Sequence, residues 1–150
     1  MVDCRHAAFQ HPASAPVIPP EGLQILGLIA RLVGGWYLFN GAVALNVWRR
    51  SMAGRRPANR IEQVRAWTIL AVANLTLLGG LLLLFLSPLA PLFFLACCAV
   101  QGAYFAWART ALPPQDEAGR RARRATFGGF LIYIGVTLFT LLARDIGLLA

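Results

Sequence analysis

Charge is scarce in this sequence, and lysine is absent altogether. Charged residues make up 13% of the 150 residues, whereas an average soluble domain carries about 25%. Hydrophobic residues make up 58%. A chain of this length has room for one domain, and a soluble domain cannot hide so much apolar surface from water. The composition therefore predicts an integral membrane protein, with the lipid bilayer as its solvent.

The sequence also lacks the motifs that carry familiar enzyme chemistry. It has no Cys-x-x-Cys, no glycine-rich phosphate loop, no metalloprotease helix motif and no nucleophile elbow. Its three cysteines are an odd number without the spacing of a disulfide framework. His6 and His11 lie near the N-terminus, so no apolar run holds a histidine that could bind haem b. We therefore expect neither an enzyme nor a bound cofactor.

Four apolar runs occupy residues 24–48, 66–86, 89–108 and 125–143. Each is close to the roughly 20 residues that cross a ~30 Å hydrocarbon core as a helix. Backbone groups in lipid must bond to one another, and the alternation typical of a membrane barrel is absent. Residues 1–20 are rich in proline, which predicts a disordered, flexible tail. We expect an all-α integral membrane fold, with residues 21–150 forming a bundle of four transmembrane helices.

Arginine is concentrated in two of the connections. Residues 49–65 and 109–124 hold eleven of the 14 arginines, and a four-span bundle places both stretches on one side. Short arginine-rich loops of inner-membrane proteins stay in the cytoplasm. Trp48, Trp67 and Trp107 lie at the same helix ends, where interfacial indoles are favoured. We therefore predict that these loops are cytoplasmic in the cell inner membrane and that both termini are outside.

These arginines also indicate partners. They alternate with apolar runs instead of covering a soluble face, so nucleic acid is not expected. Anionic lipid headgroups are expected, at about 1 kcal/mol per arginine near the surface. The candidates are Arg49, Arg50, Arg55, Arg56, Arg120, Arg121, Arg123 and Arg124. Stripes of small residues, such as Gly128 and Gly135, would allow close packing within the bundle, in a homodimer or against another membrane subunit.

Each apolar run holds one hydrogen-bonding side chain about 10–12 Å from its arginine-rich end. These four form a candidate polar layer: Asn40, Asn74, Gln101 and Tyr133. In a structural interpretation, they bond across helices and stabilise the bundle by about 0.6–2 kcal/mol each. In a functional interpretation, they line a path for a small molecule or an ion. No Asp or Glu lies within a run, which disfavours proton-coupled transport through carboxylates.

Two further groups of residues lie in or beside the apolar runs. Arg31, Arg144 and Asp145 fall at the outer interface, where long side chains reach the headgroups, and an Arg31–Asp145 contact would tie the first helix to the last. Cys97 and Cys98 are neighbours in the third run. Buried thiols usually behave as small hydrophobes, but a vicinal pair can also bind a soft metal ion.

Residues 31–41, which include the stretch from Arg31 to Gly35 and then Gly41, loosely resemble the first helix of DoxX-like bacterial membrane proteins. The resemblance implies four helices and assigns no residue a role. The leading hypothesis is a non-catalytic accessory or assembly component of a membrane complex. The alternative is a small transporter or channel that uses the polar layer. A third hypothesis is a soft-metal carrier that uses Cys97 and Cys98.

Overall fold

The computed structural model describes residues 19–53, 57, 59–111 and 117–149. It consists of four helices, α1 (Pro20–Met52), α2 (Arg60–Leu84), α3 (Ala90–Ala111) and α4 (Glu117–Asp145), and these residues contain no strand. Each helix is long and apolar enough to cross a membrane. The prediction of an all-α chain with four apolar helices is thus confirmed. The predicted disordered tail, up to residue 18, lies outside the described residues, as do Arg55 and Arg56.

The helices continue beyond the apolar runs at one end of the bundle. α1 ends at Met52, α2 begins at Arg60 and α4 begins at Glu117, so most arginines of the two loops lie in helical turns. Arginine has a high helix propensity, so a helix can continue into an arginine-rich stretch. The length of an apolar run indicates how much of a helix fits into hydrocarbon and does not show where the helix ends. We call this the arginine-rich end, and the opposite end, where α2 turns into α3, the hairpin end.

The turn between α2 and α3 is tight. Leu86 adopts the left-handed conformation, with φ of 54°, and the Ser87 N–H donates to the Leu82 carbonyl oxygen at 2.8 Å. This arrangement is a common way to close a helix, although glycine usually occupies the left-handed position. α3 begins only a few residues later, at Ala90, so α2 and α3 run antiparallel side by side.

α1 and α2 share the largest interface in the bundle, and glycines bring their backbones together. A Cβ built on Gly80 would lie 2.8 Å from the Gly34 carbonyl oxygen, and one on Gly41 would lie 2.7 Å from the Leu77 nitrogen. Real Cβ atoms do not approach so closely, so only glycine fits at these crossings. Nearer the arginine-rich end, the Trp48 indole N–H donates to the Ala66 carbonyl oxygen at 2.9 Å.

The remaining helices pack in chain order, α3 on α2 and α4 on α3. α1 meets α4 mainly through side chains. The Tyr37 and Tyr133 rings contact edge to face, with their centroids 4.9 Å apart. The buried core lies toward the hairpin end and includes Leu83, Phe94 and Leu149. Toward the arginine-rich end, the four helices instead surround a cleft.

Candidate functional site

Tyr133 belongs to a hydrogen-bonded chain, centred on Thr76, that joins three helices. Its hydroxyl donates to Thr76 Oγ1 on α2, and Thr76 in turn donates to the Val72 carbonyl oxygen at 2.7 Å. On α3, Gln101 Nε2 donates to Cys97 Sγ at 3.3 Å. The Cys97 thiol lies 3.7 Å from Thr76 Oγ1. Because the Thr76 proton is already committed to Val72, the thiol is the donor, and the chain runs in one direction from Gln101 to α2.

The two adjacent thiols face different helices. Cys97 contacts Thr76 on α2, whereas Cys98 Sγ lies 3.2 Å from Thr137 Oγ1 on α4. Consecutive helical residues point about 100° apart, which produces this divergence. The pair therefore presents no shared face to one metal ion. Within the described residues, no cluster of three or more His, Cys, Asp or Glu side chains has the arrangement of a metal site.

A cleft of about 770 Å³ opens beside this hydrogen-bonded chain, and all four helices line it. We call it the central cleft. Trp36 and Tyr37 contribute from α1, Tyr104 and Phe105 from α3, and Phe130 from α4. Most of the lining is aromatic or aliphatic, and the polar groups are few. Ligand sites in proteins typically have this size and composition.

The central cleft is closed at its deep end and carries charge at its mouth. At its deep end the cleft meets a cluster of three rings, Tyr37, Phe94 and Tyr133, of which Tyr37 and Phe94 belong to the buried core. Arg65 and Arg123 line the opposite end. Between Arg65 and Thr76, α2 rises about 16 Å, which is close to half of a ~30 Å hydrocarbon core. The cleft therefore extends about as deep as one leaflet of a bilayer.

The hydroxyl of Tyr37 is the polar group at the deep end that has no hydrogen-bond partner among the described residues. The Tyr37 side chain is only 8% exposed, and its ring packs between Phe94 and Tyr133. No fully buried polar side-chain atom in the described part of the chain lacks a partner. The hydroxyl is therefore accessible, and the central cleft that Tyr37 lines is where it can meet a ligand.

The structure brings three residues of the predicted polar layer to the central cleft and leaves the fourth outside it. Asn40, Gln101 and Tyr133 line the cleft, whereas Asn74 is exposed on another face of α2. The amides of Asn40 and Asn74 donate to the carbonyl oxygens of Trp36 and Leu70 on their own helices, each at 2.8 Å. Neither asparagine therefore bonds across the bundle. Among the four residues of the polar layer, it is Tyr133 that donates a hydrogen bond to another helix.

The charged residues at the hairpin end stay apart. Arg31, Arg144 and Asp145 are all exposed, and no ion pair joins Arg31 to Asp145 in the described part of the chain. α1 instead meets the residues that follow α4 through an apolar side chain. The Leu148 side chain lies 3.7 Å from where a Cβ on Gly27 would be.

The arginines predicted to meet lipid headgroups fall into two groups. Arg49 and Arg50 are exposed in the last turn of α1, and Arg121 is paired at 3.7 Å with Glu117, one turn away on α4. The others come together beside α3. Arg120 and Arg124 flank Arg123, whose Nη2 donates to the Ala108 carbonyl oxygen at 3.2 Å. This bond satisfies a carbonyl in the last turn of α3 and positions Arg123 between the two helices.

Sequence reasoning missed several lining residues of the central cleft. Tyr37 and Thr76 are polar residues inside apolar runs, so their residue types give a usable signal. Asn40 and Asn74 are more polar and give a stronger one. Arg65 was assigned only to a loop, although α2 carries it to the mouth of the cleft. The depth of a residue along its helix does not determine which face of the helix it occupies.

The chain matches no protein-family model, and no curated protein and no solved structure is detectably similar to it. The resemblance of residues 31–41 to DoxX-like proteins accordingly gains no support. What the chain does is therefore argued from its geometry.

Proposed function

We propose that this chain is a small, non-catalytic, multi-pass protein of a bacterial inner membrane that transports an apolar small molecule bearing a hydrogen-bonding group. The observation that carries this proposal is the central cleft, with about 770 Å³ of mostly apolar space and three polar-layer residues in its lining. A transporter fits better than a channel, because the rings of Tyr37 and Tyr133 close the deep end of the cleft.

We further propose that both termini lie outside and that the loops at 49–65 and 109–124 are cytoplasmic. Their eleven arginines support this orientation through the positive-inside rule. The exposed Trp67, near the start of α2, fits an interfacial position at that end. With this orientation, the central cleft would lie in the cytoplasmic half of the membrane and would take up its ligand from that side.

The ligand would be held by aromatic walls and oriented by a few polar atoms. Phe105 and Phe130 contact each other at 5.4 Å between ring centroids and form part of one wall. The Tyr37 hydroxyl can donate to a carbonyl or hydroxyl oxygen of the ligand, and Gln101 can accept through its side-chain oxygen. A ligand with one polar group inserted into the deep end would satisfy both residues.

The test compares two adjacent glycines on α4. Gly129 lines the central cleft and Gly128 does not, and a Cβ on either one would meet nothing within 4 Å. Gly129→Trp would therefore fill the cleft, whereas Gly128→Trp is a matched control outside it. Solvent extracts of the purified proteins would be compared by mass spectrometry. We expect a small molecule that is retained by the wild type and by Gly128→Trp and lost from Gly129→Trp.

An identified molecule would then be tested for flux in proteoliposomes, where Tyr37→Phe is expected to slow its transport. If Gly129→Trp retains the same molecules as the wild type, the central cleft is not a ligand site. If the molecule binds but no flux is measured above empty vesicles, the transport proposal fails while the binding site stands.

An exposed face of α4 supports a second candidate, an accessory or assembly component of a membrane complex. Gly128 and Gly135 lie two turns apart on α4, and both face open space. Only 11% of the most apolar stretch of α4 is buried, against 28% for α2. Small residues on such a face let a second helix approach closely. If α4 docks on a partner, Gly128→Trp would release that partner or split a homodimer, as measured by light scattering and pull-down in mild detergent.

A further inference from the structure

A second groove, on the outer side of α3 and α4, combines four arginines with an apolar floor. It measures about 520 Å³, and Phe105 and Phe130 separate it from the central cleft. We call it the arginine groove. Its charged residues are Arg109 of α3 and three residues of α4: Arg120, Arg123 and Arg124. No acidic side chain is found among the described residues that line it.

The two helices contribute to this groove with similar spacings. α3 contributes residues 102, 105, 106, 108 and 109, and α4 contributes residues 120, 123, 124, 127 and 130, so each set lies mainly along one helical stripe. The stripes begin with arginine at the arginine-rich end and become apolar toward the middle of the bundle. From Arg109 to Gly102, α3 rises about 10 Å. The arginine groove is therefore charged at one end and apolar at the other, which matches a lipid with its charged headgroup and its acyl chains.

The floor of the groove is aromatic and small. The rings of Phe105, Phe127 and Phe130 contact one another, with centroids 5.4–6.3 Å apart. Gly102 and Ala106 keep the α3 side shallow. Such a surface accepts acyl chains beside the headgroup without leaving a void, because small residues admit a chain where a larger side chain would block it.

Arginines on neighbouring turns of α4 repel one another slightly, and a bound anion would reduce this repulsion. Arg120 and Arg124 are four residues apart on α4, and such like-charged pairs destabilise a helix. A bound phosphate would remove this repulsion, and a guanidinium can hold phosphate with two parallel hydrogen bonds. The positive-inside rule explains why arginines occur in this connection, but not why four of them border one apolar groove.

We propose that the arginine groove binds an anionic phospholipid that carries two phosphate groups, a chemistry suited to basic pockets between transmembrane helices. Two phosphates match four guanidinium groups more closely than one phosphate does. The groove shares Arg123, Phe105 and Phe130 with the central cleft, but lipid binding in it does not require transport through the cleft. The variants that test the groove change residues outside the cleft, so the two proposals can fail separately.

The test uses the purified protein in nanodiscs or detergent, with native mass spectrometry to count retained lipids. The probes are cardiolipin, with two phosphates, phosphatidylglycerol, with one, and phosphatidylcholine, which is zwitterionic. We expect the wild type to bind cardiolipin at least about tenfold more tightly than phosphatidylglycerol, and phosphatidylcholine more weakly still. Arg120→Gln with Arg124→Gln removes two charge-assisted contacts to phosphate and should weaken cardiolipin binding about 30-fold.

The matched control removes two arginines from the other connection. Arg49→Gln with Arg50→Gln deletes the same charge at the same end of the bundle, but these residues do not line the groove. The control should change cardiolipin binding by less than about threefold. If both double variants lose binding equally, attraction by net charge explains it and the site assignment is overturned. If phosphatidylglycerol binds as tightly as cardiolipin, the assignment of a two-phosphate ligand is overturned.

A second variant keeps the arginines and fills the groove. Ala106 is exposed and lines the arginine groove but not the central cleft. Ala106→Trp is therefore expected to displace the lipid without changing any charge. If Ala106→Trp retains cardiolipin as the wild type does, the lipid does not sit in this groove, even if the arginine variants lose it.

Discussion

The first and last helix pairs of this bundle are packed by different means. Between α1 and α2, glycines allow backbone to touch backbone, so that a Cβ on Gly34 would lie 2.8 Å from the Gly80 carbonyl oxygen. Between α3 and α4, contact is made by long side chains. A Cβ on Gly102 would meet only the tip of the Phe130 ring, at 3.8 Å, which is ordinary van der Waals contact. Gly128 and Gly135 on α4 face open space.

This difference distinguishes the most tightly packed interface of the molecule from the helices with more open surface. Interlocked backbones leave no room for a ligand between α1 and α2, whereas α3 and α4 have the arginine groove between them and complete the central cleft, which all four helices line. Regions with few buried contacts open at low free-energy cost, and functional elements are commonly found there. Ligands therefore have most room where α3 and α4 complete these two sites.

The largest effect is expected from adding one methyl group at the tight interface. Gly80→Ala would force the α1 and α2 backbones apart and should lower the free energy of unfolding by about 1–3 kcal/mol. Gly135→Ala makes the same change in open space and should raise it by up to about 1 kcal/mol, because alanine favours a helix more than glycine does. Unfolding by SDS titration, followed by far-UV circular dichroism, measures both.

Equal destabilisation by the two variants would contradict the comparison, because it would mean that α4 is packed as tightly as α1. A stabilised Gly80→Ala variant would show that the α1–α2 backbones are not in contact. Gly128→Ala, on the same open face as Gly135, serves as a second control.

A smaller effect is expected for the hydrogen bond that ties α4 to α2. Tyr133 donates to Thr76, and both residues lie deep in the central cleft. Tyr133→Phe, Thr76→Val and the double variant form a double-mutant cycle. We expect a coupling free energy of about 0.6–2 kcal/mol, the range found for polar pairs between membrane helices. A coupling near zero would mean that packing alone holds α4.

The smallest stability effect is expected for the two asparagines. Asn40→Leu and Asn74→Leu each remove a hydrogen bond within one helix, so unfolding should change by no more than about 0.5 kcal/mol. Their effects on ligand retention should differ, because only Asn40 lines the central cleft. Loss of ligand from both variants, or from neither, would show that the position of Asn40 in the cleft carries no function.

The helices of this fold follow directly from composition, while their lengths do not. Four apolar runs predict four helices, because the signal is local. Only Ser87 and Pro88 separate the second run from the third, which leaves room for no more than a tight turn. The predicted runs stop short of the arginine-rich end, since hydropathy falls where charge begins although the backbone remains helical. α4 accordingly starts at Glu117, well before its apolar run at residue 125.

The sequence predicts how deep in the bundle the candidate residues lie, but not which way their side chains point. Asn74 and Thr76 lie within one turn of each other on α2, yet a separation of two residues turns the side chain by about 200°. The glycine contacts with α1 fix the rotation of α2, so Thr76 is buried and Asn74 is exposed. This rotation depends on Gly80 meeting Gly34, a contact between residues 46 positions apart that no local pattern encodes.

The packing of each helix on the one before it has a consequence for how the chain is made. Domains assemble from the N-terminus during synthesis, and contacts between consecutive segments close short loops. α1 and α2 can lock together before α3 and α4 have joined them, because their mutual contacts lie within residues 20–84. Each later helix then meets a surface that is already built. α4, which follows the other three helices, keeps most of its apolar surface unoccupied.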